Sequence, residues 1–150
     1  MEHGARLSAP LHAQRITTAA EAAARDRAAI AAGIPSFELM LRAGTAAASW
    51  MLRECSHELA HGVALLAGSG NNGGDAYIVA AQLARAGVAV RLHASVPPRT
   101  PDAQQAAALA APVLVHGAPT ANERIVVDAL LGTGHRGPLR DGVWADCARL

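Results

Sequence analysis

An α/β fold with a mainly parallel sheet follows from three observations. Short apolar runs alternate with helical patterns along the chain. The clearest run, Val63-Ala64-Leu65-Leu66-Ala67, is apolar at every position, as expected of a parallel strand covered on both faces. Two glycine-rich stretches each follow a strand, which puts both on the rim where such sheets bind ligands.

The elements follow in order. Residues 1–15 are mixed in character and read as a loose leader to a domain spanning 16–150. Thr18-Ala19-Ala20-Glu21 is a capping box opening an alanine-rich helix that ends near Gly33. Pro35-Ser36 starts a second helix, Phe37 to about Cys55. Its apolar positions Phe37, Met40, Leu41, Gly44, Ala47, Ala48, Met51 and Leu52 keep helical spacing. Gly44 within that stripe predicts a close crossing with a neighbour. After the strand at Val63–Ala67 come a helix over Asp75–Ala86 and a strand over Val88–Leu92. Thr100-Pro101-Asp102 starts a third long helix, with proline at its first position. Val113–Val115 and Ile125–Asp128 read as strands, and Gly142–Leu150 as the start of a helix. No strand follows that last unit, so the sequence is expected to be a version of the fold lacking its C-terminal strands.

Composition narrows the function. The chain has 150 residues, enough for one domain with a real core. It is 51% hydrophobic but only 3% aromatic, so alanine, valine and leucine must build that core. All 13 basic residues are arginine. A P-loop needs a lysine on the phosphates, and Schiff-base chemistry needs a lysine amine; both are excluded. Net charge is +1 without a basic stripe, which argues against nucleic acid as a partner. Cys55 and Cys147 are far apart and read as free thiols. The N-terminus has no apolar signal core, and no run is long enough to span a membrane, so a cytoplasmic protein is expected.

Three motif readings compete. Gly68-Ser69-Gly70-Asn71-Asn72-Gly73-Gly74-Asp75 contains a literal GxGxxG, and its glycines permit φ > 0 and close approach to a ligand. A dinucleotide fingerprint also wants an acid at the end of the next strand. That strand ends Leu92-His93-Ala94, and Asp75 would oppose a pyrophosphate at the helix start, so a classical NAD-dependent dehydrogenase is disfavoured. His57-Glu58-Leu59-Ala60-His61 is a literal HExxH, the signature of a zinc metalloprotease. Gly62 follows at once, and no downstream residue continues the pattern. Two surface histidines near a helix C-terminus are the simpler account.

The third reading is a resemblance. Gly70-Asn71-Asn72-Gly73-Gly74-Asp75 after a strand, with Val127-Asp128-Ala129-Leu130-Leu131-Gly132-Thr133-Gly134 later, resembles the YjeF N-terminal domain family of NAD(P)H-hydrate epimerases. Ile34-Pro35, Leu39-Met40, Ala43-Gly44 and Arg136-Gly137-Pro138-Leu139 resemble further family elements, so the likeness runs over roughly residues 14–150. It implies a Rossmann-like three-layer α/β/α sandwich and interconversion of the R and S forms of hydrated NADH and NADPH (NADHX and NADPHX). It further implies a bound potassium ion (K+), a possible homodimer, and a fused or separate ADP/ATP-dependent NAD(P)H-hydrate dehydratase. A non-catalytic nucleotide-binding or scaffold module is the alternative, since relatives of this domain in decapping scaffolds serve assembly.

By the family pattern, Asn71, Asn72, Gly73, Gly74 and Asp75 contact substrate, as do Gly132, Thr133, Gly134, His135, Arg136, Gly137 and Pro138. Asn72 and Asp128 match the potassium positions, and their oxygen donors suit a hard cation. The loop at 132–138 offers backbone N–H groups and Arg136 to a diphosphate. Asp128 is the candidate acid/base for moving a proton on and off the carbinol hydroxyl. Simpler roles stand beside these. Asp75 could cap its helix, Asp128 brace a turn, Asn71 and Asn72 supply turn geometry, and Arg136 be a solvated loop charge. Two positions depart from the family: His135, usually apolar, and Ala76, usually glycine.

Overall fold

The computed structural model describes residues 17–94, 96–120 and 122–138. Helix α1 (Ala19–Ala31) begins at the predicted capping box. Thr18 Oγ1 accepts from the Glu21 N–H at 3.2 Å, and Glu21 Oε2 accepts from the Thr18 N–H at 2.8 Å. Alanine-rich throughout, α1 buries none of its side chains. Helix α2 (Ser36–Glu54) buries Met40, Gly44, Ala48 and Met51 along one line. That line is narrower than the predicted stripe, because Ala47 and Leu52 are exposed. A one-turn helix α3 (Ser56–Leu59) leads through Gly62, at φ 90°, into β1 (Val63–Ala67). Then come α4 (Asn71–Arg85), β2 (Val90–His93) and α5 (Pro101–Ala110). Thr100 caps α5, its Oγ1 accepting from the Ala103 N–H. A 3₁₀ turn at Ala111–Val113 displaces the expected third strand, which is only β3 (Val115–His116); β4 is Ile125–Ala129.

The four strands are all parallel, in the order β3-β2-β1-β4. Helix α4 lies against β1 on the face of Val63, Leu65 and Ala67, and α2 and α5 pack against α4. Leu65, Ile78, Leu83 and Leu92 are fully buried there. The helix expected at Gly142–Leu150, Cys147 and the leader 1–15 lie outside the described residues. From β1 the chain steps outward to β2 and β3, then returns to the other side of β1 for β4. That reversal makes the β1/β4 junction a topological switch point, where the loops after the two strands open a crevice.

Among the described residues no helix joins β3 to β4; residues 117–120 and 122–124 are loop. Glu123 holds it. Its carboxylate accepts from Thr120 N and Oγ1 at 2.7 and 2.6 Å and pairs with Arg91 Nε of β2 at 2.9 Å. Partial burial alone would raise this carboxyl, but the hydrogen bonds from Thr120 and Arg91 outweigh it and hold the group down at about 2, against an ordinary 4.5. A depressed carboxyl stabilises the fold fully above its ordinary value and loses that contribution as pH falls through its folded value. Glu123→Gln is therefore expected to cost about 1–3 kcal/mol at pH 7. The difference from wild type should shrink by pH 3, which urea unfolding at the two pH values checks.

Candidate functional site

The glycine stretch folds differently from a flexible phosphate loop. Helix α4 starts at Asn71, with Gly70 as its N-cap, so Asn71 to Asp75 are already helical. None of Gly68, Gly70, Gly73 or Gly74 has positive φ, and neither does any non-glycine residue among those described. The expectation of φ > 0 fails here, since Gly73 and Gly74 are already in the helix, and glycine is required instead for room. A Cβ on Gly68 would lie 2.0 Å from the Leu130 carbonyl oxygen, and one on Gly73 would lie 1.9 Å from the Gly68 carbonyl oxygen. These glycines stack three backbones: the first turn of α4, the end of β1, and the end of β4. The Gly68 N–H donates to Ala129 O at 3.0 Å, extending the ladder by one bond. Gly74 makes room for Met40 and α5, and Gly44 makes the predicted close crossing, against Ile78.

This stacking brings the two glycine-rich stretches to opposite walls of one cleft, about 550 Å³ in volume. One wall is Ser69, Gly70, Asn71, Asn72 and Asp75; the other is the loop from Leu130 to His135. Asp26, from the surface helix α1, completes it. Asp75 is not an N-cap, because it sits in the second turn of α4. Burial pushes its carboxyl up to about 6, and the Asp26 carboxylate adds to the rise. Asp26 is a site residue that sequence reasoning missed. It stands in a helix with no buried face and no motif, and only tertiary packing carries it to the cleft.

Other candidates sort by what they touch. Asn72 Nδ2 donates to Leu131 O at 3.1 Å, tying α4 to the opposite loop. Asn71 Oδ1 accepts from Thr100 Oγ1 at 2.6 Å, tying it to the cap of α5. Neither is a turn residue. Asp128 is the next-to-last residue of β4, and its Oδ1 accepts from Leu130 N at 2.9 Å; it braces the loop and does not line the cleft. Gly132, Thr133, Gly134 and His135 line it. Gly73 and Gly74 do not, because both are buried in packing. Arg136, Gly137 and Pro138 also lie outside the lining. The Arg136 guanidinium folds back, Nη1 donating to Thr133 O at 3.1 Å and His135 O at 2.8 Å. It stiffens the loop instead of pointing a free charge at a ligand.

The HExxH segment occupies the single turn of α3 and the turn after it. The rings of His57 and His61 are 6.2 Å apart, edge to face. A metalloprotease needs both histidines on one continuous helix, and this helix ends between them. Among the described residues no group of three His, Cys, Asp or Glu side chains gathers to hold a metal. No helix among them is long and apolar enough to cross a membrane.

A parallel sheet with a polar cleft at its switch point, walled by a helix N-terminus and a glycine loop, defines an α/β domain of Rossmann-like topology. The chain belongs to the YjeF N-terminal domain family: residues 36–148 match the family described as YjeF-related protein N-terminus. It is 36% identical over 138 residues to the bifunctional NAD(P)H-hydrate repair enzyme Nnr of Pyrobaculum aerophilum, covering 83% of this chain and 27% of that protein. It is 36% identical over 118 residues to the enzyme of the same name from Escherichia coli, covering 74% of this chain and 22% of that one. The chain thus spans about a quarter of the length of the curated relatives it matches. The crystal structure of yeast ynu0 superposes with a TM-score of 0.76 at 20% identity, covering 91% of this chain and 64% of that one; this shows the shared fold.

Proposed function

We propose that this domain epimerises hydrated NADH and NADPH, interconverting the R and S forms at the carbinol carbon beside the ring nitrogen. The observation that carries this reading is Asp75, a carboxyl raised to about 6 in a cleft at the switch point. Such a group is protonated often enough to give a proton near neutral pH and basic enough to take one back. Protonated Asp75 gives its proton to the carbinol hydroxyl. The C–O bond breaks, water leaves with the bonding pair, and the ring-nitrogen lone pair forms an iminium. Water then adds to the other face and returns a proton to the Asp75 carboxylate. No electrons are gained or lost. Asp128 was the acid/base expected from sequence, but its carboxylate is engaged with the Leu130 N–H, and we give the proton to Asp75.

Asn72 and Asp128 fit a potassium ion. Both are hard oxygen donors, and both are fixed to the same segment of backbone, Leu130-Leu131. The Asn72 amide donates to Leu131 O, which leaves its carbonyl oxygen available as a ligand. A bound monovalent cation would supply charge to offset the substrate diphosphate. Asn72→Ala and Asp128→Ala are each expected to lower epimerisation roughly tenfold or more. Each should also abolish any rise in Tm when potassium replaces tetramethylammonium. The relatives are named bifunctional NAD(P)H-hydrate repair enzymes, and the partner proposed for this domain is a dehydratase acting on one epimer, in the same polypeptide or apart from it.

The deciding experiment starts from one purified NADPHX epimer in potassium buffer and compares the rate with a protein-free control. Acceleration supports the proposal. Nucleotide binding without turnover would favour the scaffold reading instead.

A further inference from the structure

Among the described residues no arginine lines the cleft, and its carboxyl groups are those of Asp26 and Asp75. A nucleotide diphosphate is a dianion, which ionised carboxylates repel. Arg136, next in sequence to the lining, spends its guanidinium on Thr133 O and His135 O. A charge that meets phosphate therefore has to come from the rim.

One arginine is built into that rim. Arg99 stands between β2 and α5 in the run Pro97-Pro98-Arg99-Thr100-Pro101. Its N–H donates to Ser69 O at 2.8 Å, and Thr100 Oγ1 donates to Asn71 Oδ1 at 2.6 Å. Ser69 and Asn71 both line the cleft, so the backbone around Arg99 is tied to the cleft wall at two points. Gln104 Nε2 holds the loop from α5, donating to Pro98 O at 3.4 Å. Proline occupies three of the five positions in this run. It fixes its own φ and keeps the residue before it extended, so the loop has little freedom left to lose when a ligand binds. The Arg99 side chain is exposed, and among the described residues its guanidinium makes no hydrogen bond or ion pair. Arg25 and Arg27 flank Asp26, but they stand on a helix that buries no side chain, and among the described residues no hydrogen bond ties them to the cleft wall.

We propose that Arg99 is a phosphate-recognition residue of this cleft, its planar guanidinium donating paired hydrogen bonds to a phosphate of the bound nucleotide. The inference rests on the epimerase reading for the class of nucleotide and adds the side chain that meets its charge. Hydrated NADH and NADPH both carry a diphosphate, and the NADPH form adds a 2′-phosphate; the guanidinium suits either group.

Calorimetric binding of ADP-ribose and of its 2′-phosphate to wild type, Arg99→Gln and Arg124→Gln tests this. Glutamine keeps the backbone N–H that Ser69 accepts and removes the charged fork. Arg99→Gln is expected to bind roughly tenfold or more weakly. Arg124 is exposed just before β4, at the opposite end of the sheet, so Arg124→Gln should bind within about twofold of wild type. In the epimerisation assay Arg99→Gln should raise KM and leave kcat unchanged. Equal weakening of both ligands assigns Arg99 to the diphosphate, and weakening confined to the 2′-phosphate form assigns it to that group. An Arg99→Gln variant that binds both ligands as wild type does would overturn the proposal, as would an equal loss in Arg124→Gln or a wild type that binds neither ligand. The epimerase reading is decided apart from this, by turnover of NADPHX. A chain that binds through Arg99 without turnover brings down that reading alone, and one that epimerises with binding intact in Arg99→Gln brings down only the role of Arg99.

Discussion

Gly73→Ala is expected to leave little folded protein. Its Cβ would lie 1.9 Å from the Gly68 carbonyl oxygen, 2.7 Å from the carbon and 2.9 Å from the nitrogen. All three atoms are backbone, so no side chain can turn aside. Helix α4 would have to lift from the end of β1. That movement would break the stack through which Gly68 also meets Leu130. Overpacking of flexible cores costs about 1–3 kcal/mol; a rigid backbone clash costs more, on the order of 4–5 kcal/mol. Total stability is only about 5–15 kcal/mol, so a fall in Tm of at least roughly 10 °C follows. Gly70→Ala is the control. Nothing lies within 4 Å of its Cβ, and its φ of −97° suits alanine. Its Tm should stay within a few degrees of wild type. Thermal unfolding followed by circular dichroism separates the two, and equal Tm values would overturn the three-backbone account.

The contrast between these two glycines shows what was legible in the sequence. A strand, a glycine stretch and a helix could be read in order, because apolar runs and helical spacing are local signals. The capping box at Thr18 and the proline start at Pro101 were likewise local and stand where expected. What each glycine does could not be read, because that depends on which backbone passes it. The sequence pattern fits a phosphate loop as well as a packing seam; only the return of β4 beside β1 chooses the seam. The same holds for Asp26. Its neighbours along α1 carry no pattern, and its part in the site comes from where α1 lands. Asp128 was recognisable as an acid at a strand end. That it braces Leu130 and stays out of the cleft depends on a turn of two residues, below the resolution of any periodicity.

Asp75→Asn is expected to raise stability and to remove activity together. The folded carboxyl titrates at about 6 against an ordinary 3.8. Between those values the native state binds more protons than the unfolded chain, so stability falls as pH rises through that window. Above about 6 the ionisation penalty is complete. Asparagine keeps the shape and cannot ionise, so it removes the penalty at pH 7. The full linkage value is roughly 3 kcal/mol. Because the carboxyl is only partly buried, solvent screening reduces this to about 1–2 kcal/mol, or roughly 2–8 °C in Tm. At pH 4 the gain should nearly vanish, since wild-type Asp75 is then protonated in the fold. Activity should fall by roughly 10²–10⁴, and wild-type kcat/KM should decline as pH rises past about 6. A carboxylate that served only to hold the fold would give the opposite sign: Asn would lower Tm at pH 7. That result, or an active Asp75→Asn enzyme, would return the proton to another residue. The paired readout therefore separates a group kept for chemistry, at a cost to stability, from one kept for packing.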